Sequence, residues 1–248
     1  MSVALVAGGA TGIGAAVMRA LRLRGDTVLL ADRNADAGRA LAAEDLPGAA
    51  RFFECDLGTL DGPKAAVQAA AELGGGRLDT IFYNAGILLA RPLADWTAED
   101  WDLTSAVNLR GPFLIVQAAE QYLRDSDRGR VILTSSTGAL RGHAGMPAYH
   151  ATKSGLLGLV RALADELGPH GTTVNAICPG WVDTPFNDGF WSHQSDPGAA
   201  LHNLEQSIPL RRQALPHDIV GSVLFLASAD SAYVTGQALV IDGGYTAV

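Results

Sequence analysis

Short, continuous runs of β-branched and leucine residues alternate along the chain with longer alanine-rich stretches. The runs at Val3–Ala7, Thr27–Ala31, Arg51–Cys55, Thr80–Tyr83, Arg130–Thr134, Thr173–Ile177 and Ala238–Ile241 predict seven strands. Runs with no polar break, such as Val28-Leu29-Leu30, suit strands covered on both faces. Helices are expected between them. One runs from about Ile13 to Arg24, with Ile13, Val17, Ala20 and Leu21 on one face and Gly25 as its stop. Another follows Thr97, where Thr97 and Asp100 resemble a capping box. A third spans about Ala148 to Leu167, and a fourth opens near Pro216. Strand–helix alternation of this kind implies right-handed crossovers. The expected fold is an α/β doubly wound, mainly parallel seven-stranded sheet with helices on both faces. No repeat, low-complexity tract or linker divides the chain, so residues 1–248 read as a single domain. The stretch from Gly180 to about Leu201 reads as irregular, and loops of that length are usually functional.

Composition narrows the function. A hydrophobic fraction of 48 % excludes a disordered chain, and a formal net charge of −8 argues against a nucleic-acid or anionic-membrane partner. Cys55 and Cys178 lie in apolar runs without CxxC spacing, so buried thiols in a reducing compartment are expected. The six His show no metal-binding spacing, and no metal is expected. The uncharged segment Met1–Met18 lacks a basic lead and is broken by Gly8, Gly9, Gly12 and Gly14. It therefore reads as folded structure rather than a signal peptide, with a cytoplasmic location expected.

Three patterns carry chemistry. Gly8-Gly9-Ala10-Thr11-Gly12-Ile13-Gly14 joins the first strand to the first helix. Glycines there permit a tight turn and a close backbone approach to a pyrophosphate, which the helix N-terminus attracts. Asp32 follows Gly14 by 18 residues, near the spacing of an acid that binds adenosine ribose hydroxyls, and its charge favours NAD over NADP. Arg33 beside it leaves the phosphorylated cofactor open. The second pattern is Tyr149-His150-Ala151-Thr152-Lys153, with Tyr and Lys four apart on one helix face. A phenol titrates near 10, and a neighbouring ammonium favours its ionised form. Only two lysines occur beside sixteen arginines, so a lysine in this place points to a need for a compact ammonium. The third is Ser136, at the end of the fifth predicted strand. There it is either a turn residue or a donor to a substrate oxygen.

Taken in order, these residues resemble the short-chain dehydrogenase/reductase family of the single-domain, Rossmann-type fold, from about Val3 to Gly244. Cys55-Asp56-Leu57 resembles the segment whose Asp contacts adenine, and Asn84-Ala85-Gly86 the turn after the fourth strand. Val107-Asn108-Leu109 resembles the segment with the family's catalytic Asn. Pro179-Gly180-Trp181-Val182-Asp183-Thr184 resembles the one whose Val and Thr hold the nicotinamide. Ala7 and Tyr83 depart from the pattern, where the family often has Thr and Asn.

The resemblance implies a hydride transfer between a secondary alcohol and a ketone. Tyr149 would act as acid/base, Ser136 would bind the reacting oxygen, Lys153 would bind the nicotinamide ribose and depress the Tyr149 pKa, and Asn108 would hold a relay water. The implied cofactor set is Gly8, Thr11, Gly12, Ile13, Gly14, Asp32, Arg33, Asp56, Leu57, Asn84, Ala85, Gly86, Tyr149, Lys153, Pro179, Gly180, Val182 and Thr184. Phe186, Phe190 and Trp191, in a loop of about 184–210, would either line the substrate pocket or anchor that loop to the core, and His143, between Ser136 and Tyr149, would line the same pocket. The alternatives are a 3-oxoacyl thioester reductase and, more remotely, a non-catalytic NAD-binding sensor or scaffold. The family is commonly tetrameric. Apolar and small residues on several faces of the Ala148–Leu167 helix accord with a homo-oligomer, a homotetramer being expected.

Overall fold

A computed structural model describes all of residues 1–248. Seven strands form one sheet in the order β3-β2-β1-β4-β5-β6-β7, and every pairing is parallel. They are β1 (Val3–Ala7), β2 (Thr27–Asp32), β3 (Ala50–Glu54), β4 (Thr80–Tyr83), β5 (Arg130–Thr134), β6 (Thr173–Pro179) and β7 (Ala238–Ile241). The expected strands all occur, four with the expected ends and β2, β3 and β6 with ends moved by one or two residues. The sheet is wholly parallel and doubly wound, of the Rossmann type.

The continuous apolar runs feed two cores. Leu5, Leu29, Ile81, Leu133 and Ala176 pack into one layer of helices, and Val6, Leu30, Phe82, Ile132 and Ile177 into the other. This is the period-two alternation of a strand, applied to a sheet buried on both sides.

The helices are α1 (Gly12–Leu23), α2 (Ala35–Ala42), α3 (Gly62–Leu73), α4 (Ala98–Ser105), α5 (Gly111–Asp125), α6 (Pro147–Leu167), α7 (Asp188–Trp191), α8 (Pro197–Ser207) and α9 (Pro216–Leu226). A π-helical turn, Ala106–Arg110, joins α4 to α5. Thr97 caps α4 by accepting the Asp100 amide at 3.1 Å, as its spacing predicts. The sequence reading does not place α2, α3 or α5. In α3 a Gly-Pro pair looks like a break, yet Pro63 sits where the first helical turn needs no amide donor; in α5 the pair follows the π turn directly, and Pro112 interrupts the amide ladder there. The stretch read as irregular carries α7 and part of α8, the latter begun by Asp196, which accepts the Ala199 amide.

Ligand-sized space in open parallel sheets lies beyond the strand carboxyl ends, where chain crossovers reverse direction. Here that point is the β1/β4 border. The opposite end of the sheet is fastened by buried Asp79, which accepts the Val3 amide at 2.9 Å and the Ser126 hydroxyl at 2.7 Å.

Candidate active site

A cleft of about 430 Å³ opens at the β1/β4 border. Its near wall is backbone. Three glycines of the first loop serve packing: a Cβ on Gly8 would overlap the Ala85 backbone, one on Gly9 would overlap Leu30, and one on Gly14 would overlap the Gly8 carbonyl. Gly8 and Gly12 also carry positive φ, at 76° and 55°. Only Gly12 faces across the cleft, where a Cβ would come 3.3 Å from the Thr184 methyl. Gly14 therefore does not line the cleft, contrary to its expected place against a pyrophosphate; it lets α1 close onto the loop.

Thr11 begins α1 without a side-chain cap, so first-turn amides there have no intrahelical or capping partner. Uncapped amides at a helix N-terminus beside glycine backbone are an anion cradle. Asp32, at the end of β2, accepts the Ala10 amide at 3.0 Å and the Asn34 amide at 2.9 Å. The acid thus fastens the glycine loop and still has lone pairs for a further donor. Arg33, Asp56 and Leu57 line the same end.

The far wall is built from side chains. Asn84, just past β4, donates to the Gly8 carbonyl at 3.0 Å and accepts from the Thr134 hydroxyl at 3.2 Å, tying three strands together. Lys153, 3 % exposed on α6, donates to the Thr134 carbonyl at 2.7 Å. Ser136 accepts the Gly138 amide at 2.9 Å, so its own hydrogen is free to donate. Tyr149 lies on the same helix face as Lys153, whose ammonium is 5.7 Å from the ring centre. Gly86 leaves space between the Asn108 amide and Lys153, since a Cβ there would touch both.

Asn108 itself is fully buried and does not line the cleft. It accepts the Ile87 amide at 2.9 Å and donates to the Ile87 carbonyl at 3.0 Å and to Thr152 at 3.4 Å. It braces the turn after β4 against α6, one residue from Lys153.

Burial dominates the titration of this wall. It pushes the Tyr149 phenol up to about 12, against an opposing hydrogen bond from Ser136, and the Lys153 ammonium down to about 8. The expected depression of the phenol by Lys153 is therefore not achieved by the protein alone. For the phenol the shift corresponds to about 3 kcal/mol against its charged form, which a further positive charge in the cleft would offset, while the same charge would disfavour the Lys153 ammonium still more.

The four aromatic candidates separate. Phe186 lines the cleft, with its ring centre 6.1 Å from that of Tyr149. His143, Phe190 and Trp191 pack instead with Trp181 in a cluster beside it, with Trp181 4.7 Å from Phe190, 5.2 Å from Trp191 and 5.6 Å from His143. His143 also meets the Tyr245 hydroxyl at 3.2 Å, and burial holds its imidazole below the usual range. None of these three lines the cleft, contrary to the pocket-lining role expected of His143. Ala85, Ile13, Pro179, Gly180 and Val182 line the cleft as expected. Asn34, Ile87, Thr134, Pro185 and Asn187 line it too, and the sequence reading misses them. Each adjoins a recognised segment, which is the only signal that points to it.

Comparison with known proteins agrees with this arrangement. A family profile described as enoyl-(acyl carrier protein) reductase matches residues 8–246. D-threitol dehydrogenase of Mycolicibacterium smegmatis is 38% identical over 247 residues, covering 98% of this chain and 92% of the relative. The 3-alpha-(or 20-beta)-hydroxysteroid dehydrogenase of Mycobacterium tuberculosis is 38% identical over 245 residues, covering 99% and 89%. The crystal structure of levodione reductase superposes with a TM-score of 0.93 at 32% identity, covering 100% of this chain and 98% of that one.

Proposed function

The chain belongs to the short-chain dehydrogenase/reductase family, and from there we propose that it interconverts a secondary alcohol and a ketone with NAD as its preferred cofactor. The observation that carries this reading is the convergence of Ser136, Tyr149 and Lys153 in one cleft with Asp32 at its other end. The uncapped α1 terminus and the glycine backbone fit a pyrophosphate, and the Asp32 carboxylate fits ribose hydroxyls while repelling a 2′-phosphate. Val182 and Thr184 would hold the nicotinamide and Lys153 its ribose. The bound cofactor supplies the hydride acceptor or donor and, when oxidised, the added positive charge.

The remaining work falls to the chain. In carbonyl reduction, Tyr149 enters with its proton in place, because burial holds the phenol far above neutral pH. It gives that proton to the carbonyl oxygen as charge develops there. Ser136, its lone pair fixed by the Gly138 amide, donates to the same oxygen. Alcohol oxidation runs through the same groups in reverse, with Tyr149 taking the hydroxyl proton. Phe186 beside Tyr149 gives the substrate an apolar face, which suits a compact, ring-bearing or polyol substrate. Among relatives, a threitol dehydrogenase, a hydroxysteroid dehydrogenase and a levodione reductase all support alcohol–ketone chemistry.

The test is a 340 nm assay with NAD and NADP across polyols, cyclic secondary alcohols and a 3-oxoacyl thioester. Turnover of an alcohol with NAD supports the reading. Selective turnover of the thioester with NADPH would replace it with the acyl reductase alternative. A homotetramer is also proposed. Trp101, Leu103 and Phe113 lie exposed around the π turn, Phe225 on α9 and Leu215 just before it, apolar side chains that a partner subunit would cover. On α6, Leu156, Val160 and Ala164 face the sheet, which leaves Ala151 and Ala162 outward. Sedimentation or light scattering measures the assembly.

A further inference from the structure

The π turn leaves one backbone carbonyl without a donor. The Gly111 amide donates to Ala106, five residues back, and so bypasses Val107. The next amide in that register would come from residue 112, which is proline and has none. The Val107 carbonyl is thus orphaned in both the α and the π pattern, and buried polar groups are rarely left so. The Tyr83 hydroxyl, at the end of β4, donates to it at 2.8 Å. Tyr83 is 1 % exposed, and Gly111 makes room for it, since a Cβ there would overlap the hydroxyl. Burial holds the phenol well above its ordinary range, so it remains a donor.

The next residue is Asn108, whose amide clamps Ile87 and Thr152. A π turn contains one residue more than the α-helix, so reverting to α would rotate one side by about 100° and swing Asn108 off its partners. We infer that Tyr83 is a positioning residue for Asn108: its hydroxyl supplies the hydrogen bond that Pro112 withholds and so fixes the turn that aims the Asn108 amide. This rests on the proposed function, because Asn108 braces α6 one residue from Lys153, a member of the proposed site.

The test compares Tyr83→Phe, Pro112→Ala and the double variant with the parent enzyme, by turnover, NADH affinity from fluorescence, and thermal unfolding. Tyr83→Phe should lower kcat by roughly tenfold with KM and NADH affinity within about twofold, as expected for misplacement of a supporting group. Pro112→Ala restores an amide at 112 and should turn over like the parent. The double variant should then recover to within about threefold of the parent, because the new amide reaches Val107. A loss of packing would leave the double variant as slow as Tyr83→Phe or slower. Full kcat in Tyr83→Phe, or no recovery in the double variant, overturns the inference. Should Tyr83→Phe fail to fold, the double variant decides: folding with turnover supports the proposal, and failure overturns it. Tyr149→Phe, assayed alongside, separates the two readings. If it is inactive while Tyr83→Phe is unimpaired, only the positioning role falls. If it retains turnover, the site assignment itself falls.

Discussion

The two walls of the cleft are built by opposite means. The near wall, from β1 to α1, presents backbone: glycines, uncapped amides and one carboxylate that ties the loop. The far wall, from β5 to α6, presents side chains held by other side chains and carbonyls, and buried at a cost to their charged forms. A backbone wall depends on shape and fails sterically. A side-chain wall depends on proton position and fails chemically. Substitutions in each should therefore read out differently.

The largest effect is expected at Tyr149. Tyr149→Phe should cut kcat by roughly 10²–10⁴-fold, the usual contribution of acid–base catalysis, with NADH affinity unchanged by fluorescence titration. Gly14→Ala should do the reverse. Its Cβ meets the Gly8 carbonyl and the Gly9 backbone, with no flexible side chain to yield. We expect a stability loss of about 2–4 kcal/mol and a matching loss of cofactor affinity, measured by denaturant unfolding and titration. If Gly14→Ala bound NADH normally, the steric account of the near wall would be wrong. Asp32 sharpens the contrast, because it serves both shape and charge. Asp32→Ala should weaken NAD by about tenfold and relax rejection of NADP. Asp32→Asn keeps an acceptor for the Ala10 amide and should relax selectivity with less loss of NAD affinity, read from paired KM values.

The smallest effect is a pH asymmetry. The buried phenol holds its proton until far above neutral pH, so alcohol oxidation should rise with pH through the alkaline range. Lys153 is charged below about 8 and neutral above it. The kcat/KM for carbonyl reduction, which reports the free enzyme, should therefore fall severalfold above that point. A reduction profile that climbs above pH 9 would contradict this sign.

The near wall was the more legible from sequence. A strand, a glycine cluster and a helix are local, and Asp32 is found by counting residues. Legibility stopped at roles: Gly9 and Gly14 only pack, while Gly8 and Gly12 line the cleft. On the far wall, Tyr149 and Lys153 are likewise local, but the wall's bracing is not. Asn84 links Gly8 to Thr134, and Tyr83 reaches a carbonyl in a helix 24 residues on. No spacing rule exposes such links, because the sheet order creates them. The aromatic candidates show the same limit. Four rings in sequence give no sign that Trp181 and Tyr245 gather three of them away from the cleft.

The scarcity of lysine makes the far wall a built-in reporter. Amine-directed acylating reagents have two side-chain targets in this chain, exposed Lys64 and cleft-lining Lys153, whose lowered pKa supplies free amine near pH 8. Peptide mapping of the two would give an internal ratio, with Lys64 as the reference. A fall in label at Lys153 alone on adding NAD would footprint cofactor occupancy without any turnover.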